Sequence, residues 1–106
     1  MRHHNYFVYI LTNKNKTVLY IGVTNNLERR IFEHESNQGA KLKFTAKYNC
    51  TNLIYFEKFG NIDQAIERET ELKKWRREKK NNLINLANPN WDFLNEEIKE
   101  RFFEKV

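Results

Sequence analysis

Apolar residues change their spacing several times along this chain, and each change marks an element. From Asn5 to Leu11 aromatic and β-branched residues alternate, which predicts a strand with Phe7, Tyr9 and Leu11 on one face. Five polar, turn-prone residues follow, Thr12 to Lys16, and Thr17 to Val23 reads as a second strand with Val18, Tyr20 and Gly22 on one face. So short a polar connection makes the pair an antiparallel hairpin. If the register brings those two faces together, Tyr9 and Tyr20 are neighbours. The spacing then turns helical. Asn25 with Glu28 has the form of a capping box, Leu27 and Ile31 lie on one stripe, and Arg30 and His34 fall beside them.

The segment Asn37 to Asn49 reads as a loop, and Asn52 to Phe59 as a third strand that ends at Gly60. Asn61 with Gln64 starts a second helix, expected to run to about Arg77 with an apolar stripe of Ile62, Ala65, Ile66 and Leu72. A short helix is expected over Asn81 to Ala87. Pro89-Asn90-Trp91 makes a turn whose indole plugs the core. Asn95 to Val106 is helix-prone, with Phe102 and Phe103 as docking residues. The expected architecture is α/β (α+β): a small three-stranded antiparallel sheet flanked by helices. It occupies one domain over 1–106, with a core of about 5–92 and a helical extension of about 93–106.

Several inward positions carry the wrong chemistry for a plain core. Tyr9 and Tyr20 are strand aromatics with a hydroxyl, and Gly22 lies where a strand would place a side chain. Arg30 and His34 are one helical turn apart on an inward stripe. Glu69 stands three residues after Ile66 and three before Leu72, where a carboxylate is costly unless a cation or metal accompanies it.

Composition sharpens this picture. Nineteen Lys and Arg against fourteen Asp and Glu give a net charge of +5 on 106 residues, which favours a polyanionic partner. Six of those cations, Lys73, Lys74, Arg76, Arg77, Lys79 and Lys80, crowd around Trp75 and form a candidate phosphate-tracking run. The bland alternative is a solvated helix face. Cys50 is the sole cysteine, so neither an internal disulfide nor a cysteine-rich zinc site is available. No apolar run approaches the ~20 residues that span a bilayer, and the expected compartment is cytoplasmic.

Taken together, these residues resemble the GIY-YIG nucleases, a superfamily that includes the incision subunit UvrC of nucleotide excision repair, and above all its small stand-alone bacterial members. Val8-Tyr9-Ile10 stands at the first tyrosine motif, and Tyr20-Ile21-Gly22 matches the second without change. Arg30, eight residues after Gly22, stands at the family's catalytic arginine. His34 falls where members carry His or Tyr, and Glu69 follows Ala65 at the spacing of the metal-binding glutamate. The resemblance covers roughly Tyr6 to Trp91. It departs at Val8, where the family has glycine, at Val23, where UvrC-like members have lysine, and at Asp92, where they have asparagine.

The resemblance implies a metal-dependent DNA endonuclease with a single-metal site. Glu69 would hold Mg²⁺ or Mn²⁺, Arg30 would grip the phosphate, Tyr9 and Tyr20 would position and deprotonate the attacking water, and His34 would take or relay a proton. Phenolate formation is expected from the nearby arginine and metal. The alternatives are a nucleic-acid-binding module of the same fold without useful activity, and a protein-interaction domain. DNA, branched or damaged, is the implied partner, and the chain itself is expected to be a monomer or weak dimer.

Overall fold

The computed structural model describes residues 5–36 and 47–104, the side chains of 102–104 excepted. Among them the chain runs β1 (Tyr6–Thr12), β2 (Leu19–Thr24), α1 (Leu27–Glu35), β3 (Asn52–Phe59), α2 (Ile62–Lys74), α3 (Arg77–Ala87) and α4 (Asn95–Glu104). The three strands form one antiparallel sheet in the order β2-β1-β3, so β2 and β3 are both edges. This is the expected three-stranded sheet flanked by helices. No helix among the described residues is long and apolar enough to cross a membrane.

Period-2 alternation in β1 gives the sheet two buried faces, each covered by its own helices. Tyr9 and Leu11 point to one side, where they pack with Leu27 and Ile31 of α1 and Ile98 of α4. Val8 and Ile10 point to the other, where they meet Ala65 and Leu72 of α2 and Ile84 of α3. A bulge shifts the β1–β3 register between Ile10 and Leu11, because Ile10 faces Tyr55 while Leu11 faces Leu53. The extra residue puts both Ile54 and Tyr55 into the α2–α3 layer.

The hairpin turn is held from two directions. Asn13 Oδ1 accepts from the backbone N–H groups of Thr17 and Val18 at 2.8 and 3.1 Å. Arg77, from the start of α3, donates to the carbonyls of Thr17 and Lys16 at 2.9 and 3.0 Å. At the far end of the chain, Asn95 is buried and ties α4 down. Its Oδ1 accepts from Leu53 N at 2.7 Å, and its Nδ2 donates to Thr51 O and Glu35.

Several details differ from the sequence reading, among them that β2 begins at Leu19 rather than Thr17 and α3 at Arg77 rather than Asn81. The first helix is capped by Asn26, whose Oδ1 accepts from Arg29 N at 3.0 Å, not by Asn25. Thr24 decides between the two asparagines by accepting the N–H of Asn26. Helix α2 stops at Lys74 rather than about Arg77: Trp75 takes an extended conformation and α3 begins at once. The Trp75 ring is half-buried against the α2–α3 core and lies under two cations, Lys79 Nζ at 4.2 Å and Arg68 Cζ at 5.1 Å. Arg68 in turn grips Glu57 of β3 at 3.0 Å. Tertiary contacts therefore break a helix that local propensity would have continued. The expected stripe of α2 is also narrower than read: Ala65 and Leu72 are buried, but Ile62 and Ile66 are exposed.

Trp91 packs half-buried against the core after a turn closed by its N–H to Asn88 O, as expected of that segment. Residues 37–46 of the expected loop, the His3-His4 pair and the Phe102 and Phe103 side chains lie outside the described residues, and Lys47-Tyr48 is helical.

Candidate functional site

The register settles where the two tyrosines stand. Tyr9 lies opposite Gly22, and Tyr20 opposite Leu11, one step along the same face. The rings are diagonal neighbours with centroids 6.3 Å apart. His34, inward on α1 with Leu27 and Ile31, closes the group: its ring centroid is 6.0 Å from Tyr9 and 5.7 Å from Tyr20. The Tyr9 hydroxyl and His34 Nε2 are hydrogen-bonded at 3.3 Å.

Gly22 explains how the Tyr9 ring fits. A Cβ on Gly22 would lie 2.5 Å from the Tyr9 hydroxyl oxygen and 2.6 Å from the adjoining ring carbon. The tip of the phenol uses the space of the missing side chain.

Burial fixes the protonation of this pair. Tyr9 is 1% exposed, and desolvation pushes its phenol well above the ordinary tyrosine range, with a further push from Tyr20. Arg30 pulls the other way and Glu69 adds to the rise, so Tyr9 feels both charges. Phenolate formation at Tyr9, expected from the sequence, is thus opposed by the protein itself. His34 is also buried and is pushed down to about 4, first by desolvation and then by the Arg30 guanidinium. It is therefore a neutral imidazole near pH 7.

Arg30 stands on α1 one turn before His34. Its Nε is buried without a hydrogen-bond partner, although Glu33 Oε1 lies 3.4 Å away. A desolvated guanidinium N–H held by an ion pair but by no hydrogen bond is suited to an incoming anion. Glu33 was not singled out from the sequence, and its i,i+3 spacing from Arg30 is the signal that could have found it.

Glu69 comes from the opposite layer. It lies between buried Ala65 and Leu72 on α2, the helix that packs against β1 and β2. Its side chain is 17% exposed and pairs with Lys73 Nζ at 3.5 Å. Among the described residues no group of three or more His, Cys, Asp and Glu could share an ion. A lone, mostly buried carboxylate fits a hard divalent cation that keeps water in its remaining positions, and does not fit a zinc-type cage.

The six cations of the run point to different places. Lys73 and Lys80 line a groove with Leu19, Tyr20 and Ile21 on edge strand β2. Lys74 lines a different groove beside Ile66 and Trp75. Arg77 is engaged by the hairpin turn, Lys79 stacks on Trp75, and Arg76 is exposed ahead of α3. The helix break at Trp75 scatters them. Tyr20, half-buried, is the tyrosine that faces the groove.

Comparison with known proteins identifies the family of the chain. The model of the GIY-YIG catalytic domain matches residues 5–82. A UPF0213 protein of Clostridium perfringens is 40% identical over 99 residues, covering 93% of this chain and 94% of its own length. A UPF0213 protein of Natronomonas pharaonis is 38% identical over 80 residues, 76% of this chain and 91% of its own. The solution NMR structure of a UPF0213 protein from Bacillus halodurans superimposes with a TM-score of 0.51 at 31% identity, covering 82% of this chain and 89% of that one. On the strength of the matched domain and these small relatives, the chain belongs to the GIY-YIG family, a nuclease superfamily.

Proposed function

We propose that the protein is a metal-dependent endonuclease that hydrolyses DNA phosphodiester bonds at a site made of Tyr9, Tyr20, Arg30, His34 and Glu69. The observation that supports this best is convergence on Tyr9. Its hydroxyl is bonded to His34, its ring neighbours Tyr20, and it feels Arg30 from one layer and Glu69 from the other. A plain core has no use for four such neighbours around one buried phenol.

In this reading Arg30 takes the scissile phosphate. It exchanges its 3.4 Å ion pair with Glu33 for the phosphate, and the guanidinium offsets charge that develops on phosphorus. Tyr20 faces the groove and orients the attacking water. Tyr9 stands behind it, its hydroxyl held in place by the hydrogen bond it shares with the neutral His34 imidazole. Gly22 keeps the phenol seated. Glu69 would hold Mg²⁺ or Mn²⁺, and the chemistry supplied there is polarisation of the phosphate and stabilisation of the leaving oxygen. Lys73 and Lys80 flank Tyr20 and supply cations that Val23, beside the second tyrosine motif, does not.

A second reading is a DNA-binding module with little activity, and the pairing of Glu69 with Lys73 favours it. A nicking assay separates the two. Plasmid and branched DNA are incubated with Mg²⁺ or Mn²⁺ and wild type, Glu69→Ala or Arg30→Ala. Cleavage by wild type that both substitutions abolish supports the nuclease. Binding without cleavage by wild type supports the module, and cleavage that survives Glu69→Ala refutes the assigned site.

A further inference from the structure

We infer that Lys73 serves two partners in turn: it neutralises Glu69 while the site is empty, and it moves to the DNA backbone when a divalent cation takes its place. The inference rests on the nuclease reading above and adds a coupling between metal and DNA binding that the reading does not contain.

Two observations meet on this one side chain. Lys73 Nζ is 3.5 Å from Glu69 Oε2, in the i,i+4 arrangement with glutamate on the N-terminal side that helices favour. Lys73 also lines the groove along β2 with Tyr20 and Lys80, where a phosphate backbone would run. Its side chain is 54% exposed and that of Glu69 is 17% exposed, so the lysine is free to swing and the carboxylate is not.

The strengths are ordered for an exchange. A half-exposed lysine pair is weak and screened by salt, because one mobile chain must be held in place for a single charge contact. A divalent cation brings twice the charge to a carboxylate that is already mostly desolvated, so it displaces the ammonium. A lone buried carboxylate is costly when unpaired, which is the reason for an occupant in the empty site. The displaced ammonium has an anionic alternative within its own groove. Arg30, by contrast, pairs with Glu33 on its own helix.

Direct metal binding tests this without any turnover. Mn²⁺ is titrated into DNA-free protein and free Mn²⁺ is read by electron paramagnetic resonance. Lys73→Met is expected to bind Mn²⁺ about 3-fold more tightly than wild type, on the scale of an exposed ion pair plus the added repulsion. Lys73→Arg stays near wild type. Lys58→Met, which removes one positive charge from an exposed position on β3, leaves the affinity unchanged. Equal affinities for wild type and Lys73→Met overturn the inference. Glu69→Gln separates the two layers of argument: loss of Mn²⁺ binding there upholds the metal site, and no loss refutes the nuclease reading itself.

The second half concerns DNA. In a Tyr20→Phe background, which keeps the duplex intact, the salt dependence of binding is followed by fluorescence anisotropy. With Mn²⁺ present, Lys73→Met is expected to lower the salt slope by about one. Without metal the slope should not change, since Lys73 is then held by Glu69. An equal fall in both conditions overturns the exchange.

Discussion

The phenol of Tyr9 stands where a side chain on Gly22 would be, with a hypothetical Cβ 2.5 Å from its oxygen. The two residues face each other across β1 and β2, so a change at either is felt at the other. Gly22→Ala is expected to lower stability by about 1–3 kcal/mol, the usual range for overpacking a tight core. It should also push the Tyr9 hydroxyl off His34. Urea unfolding measures the first effect. Loss of nicking by about 10²-fold in the fraction that remains folded, as misplacement of a reacting group by ~1 Å produces, measures the second.

The two tyrosines should respond differently to loss of the hydroxyl. Tyr9→Phe removes a buried hydrogen bond and is expected to cost about 1 kcal/mol of stability as well as activity. Tyr20 is only half-buried at the groove, so Tyr20→Phe should cost less stability than Tyr9→Phe and leave DNA affinity intact, while nicking falls about 10²-fold or more. Side-by-side unfolding, anisotropy and nicking assays check the contrast. A stability loss at Tyr20 equal to that at Tyr9 would contradict it.

His34 predicts a pH dependence of folding. Its folded value of about 4 lies below the ordinary 6.5, so the unfolded chain takes up the proton first. The stability it contributes is fully present above pH 6.5 and is lost as pH falls from there toward 4. The whole effect is at most about 3 kcal/mol, from 1.36 kcal/mol per unit. Urea unfolding at a series of pH values should show a steeper acid loss in wild type than in His34→Gln. Parallel profiles would mean that His34 is not the group responsible.

Arg77 and Lys80 are both cations of one short run, and they should part company under substitution. Arg77→Ala removes two bonds to the hairpin turn and is expected to cost about 1 kcal/mol of stability without altering the salt slope of DNA binding. Lys80→Ala, beside Tyr20 in the groove, should weaken binding and reduce that slope by about one with little effect on stability. Salt-dependent anisotropy and thermal melting together separate the roles.

Much of this arrangement is legible in the chain. Alternation places Tyr9 and Tyr20 on inward faces, helical spacing brings Arg30 and His34 together, and Glu69 announces itself as a carboxylate on a half-apolar stripe. What is not legible depends on contacts distant in sequence. The pairing of Tyr9 with Gly22 needs a register that the hairpin's length alone does not determine. The break after Lys74 has no proline or glycine to signal it, and is held by cations stacked on Trp75. The capping role passes to Asn26 because Thr24, not the local pattern, chooses between adjacent asparagines. The depressed value of His34 and the raised one of Tyr9 come from burial, which a sequence motif does not report.

Tyr9, Arg30 and His34 belong to one helix-covered side of the sheet, while Glu69 rides on a helix that covers the other. On the proposed reading, this division acts as a safeguard during synthesis. The hairpin and α1 leave the ribosome well before α2, so a nascent or clipped chain carries the phosphate grip and tyrosines without the carboxylate. On that reading only a chain that has closed both layers is armed.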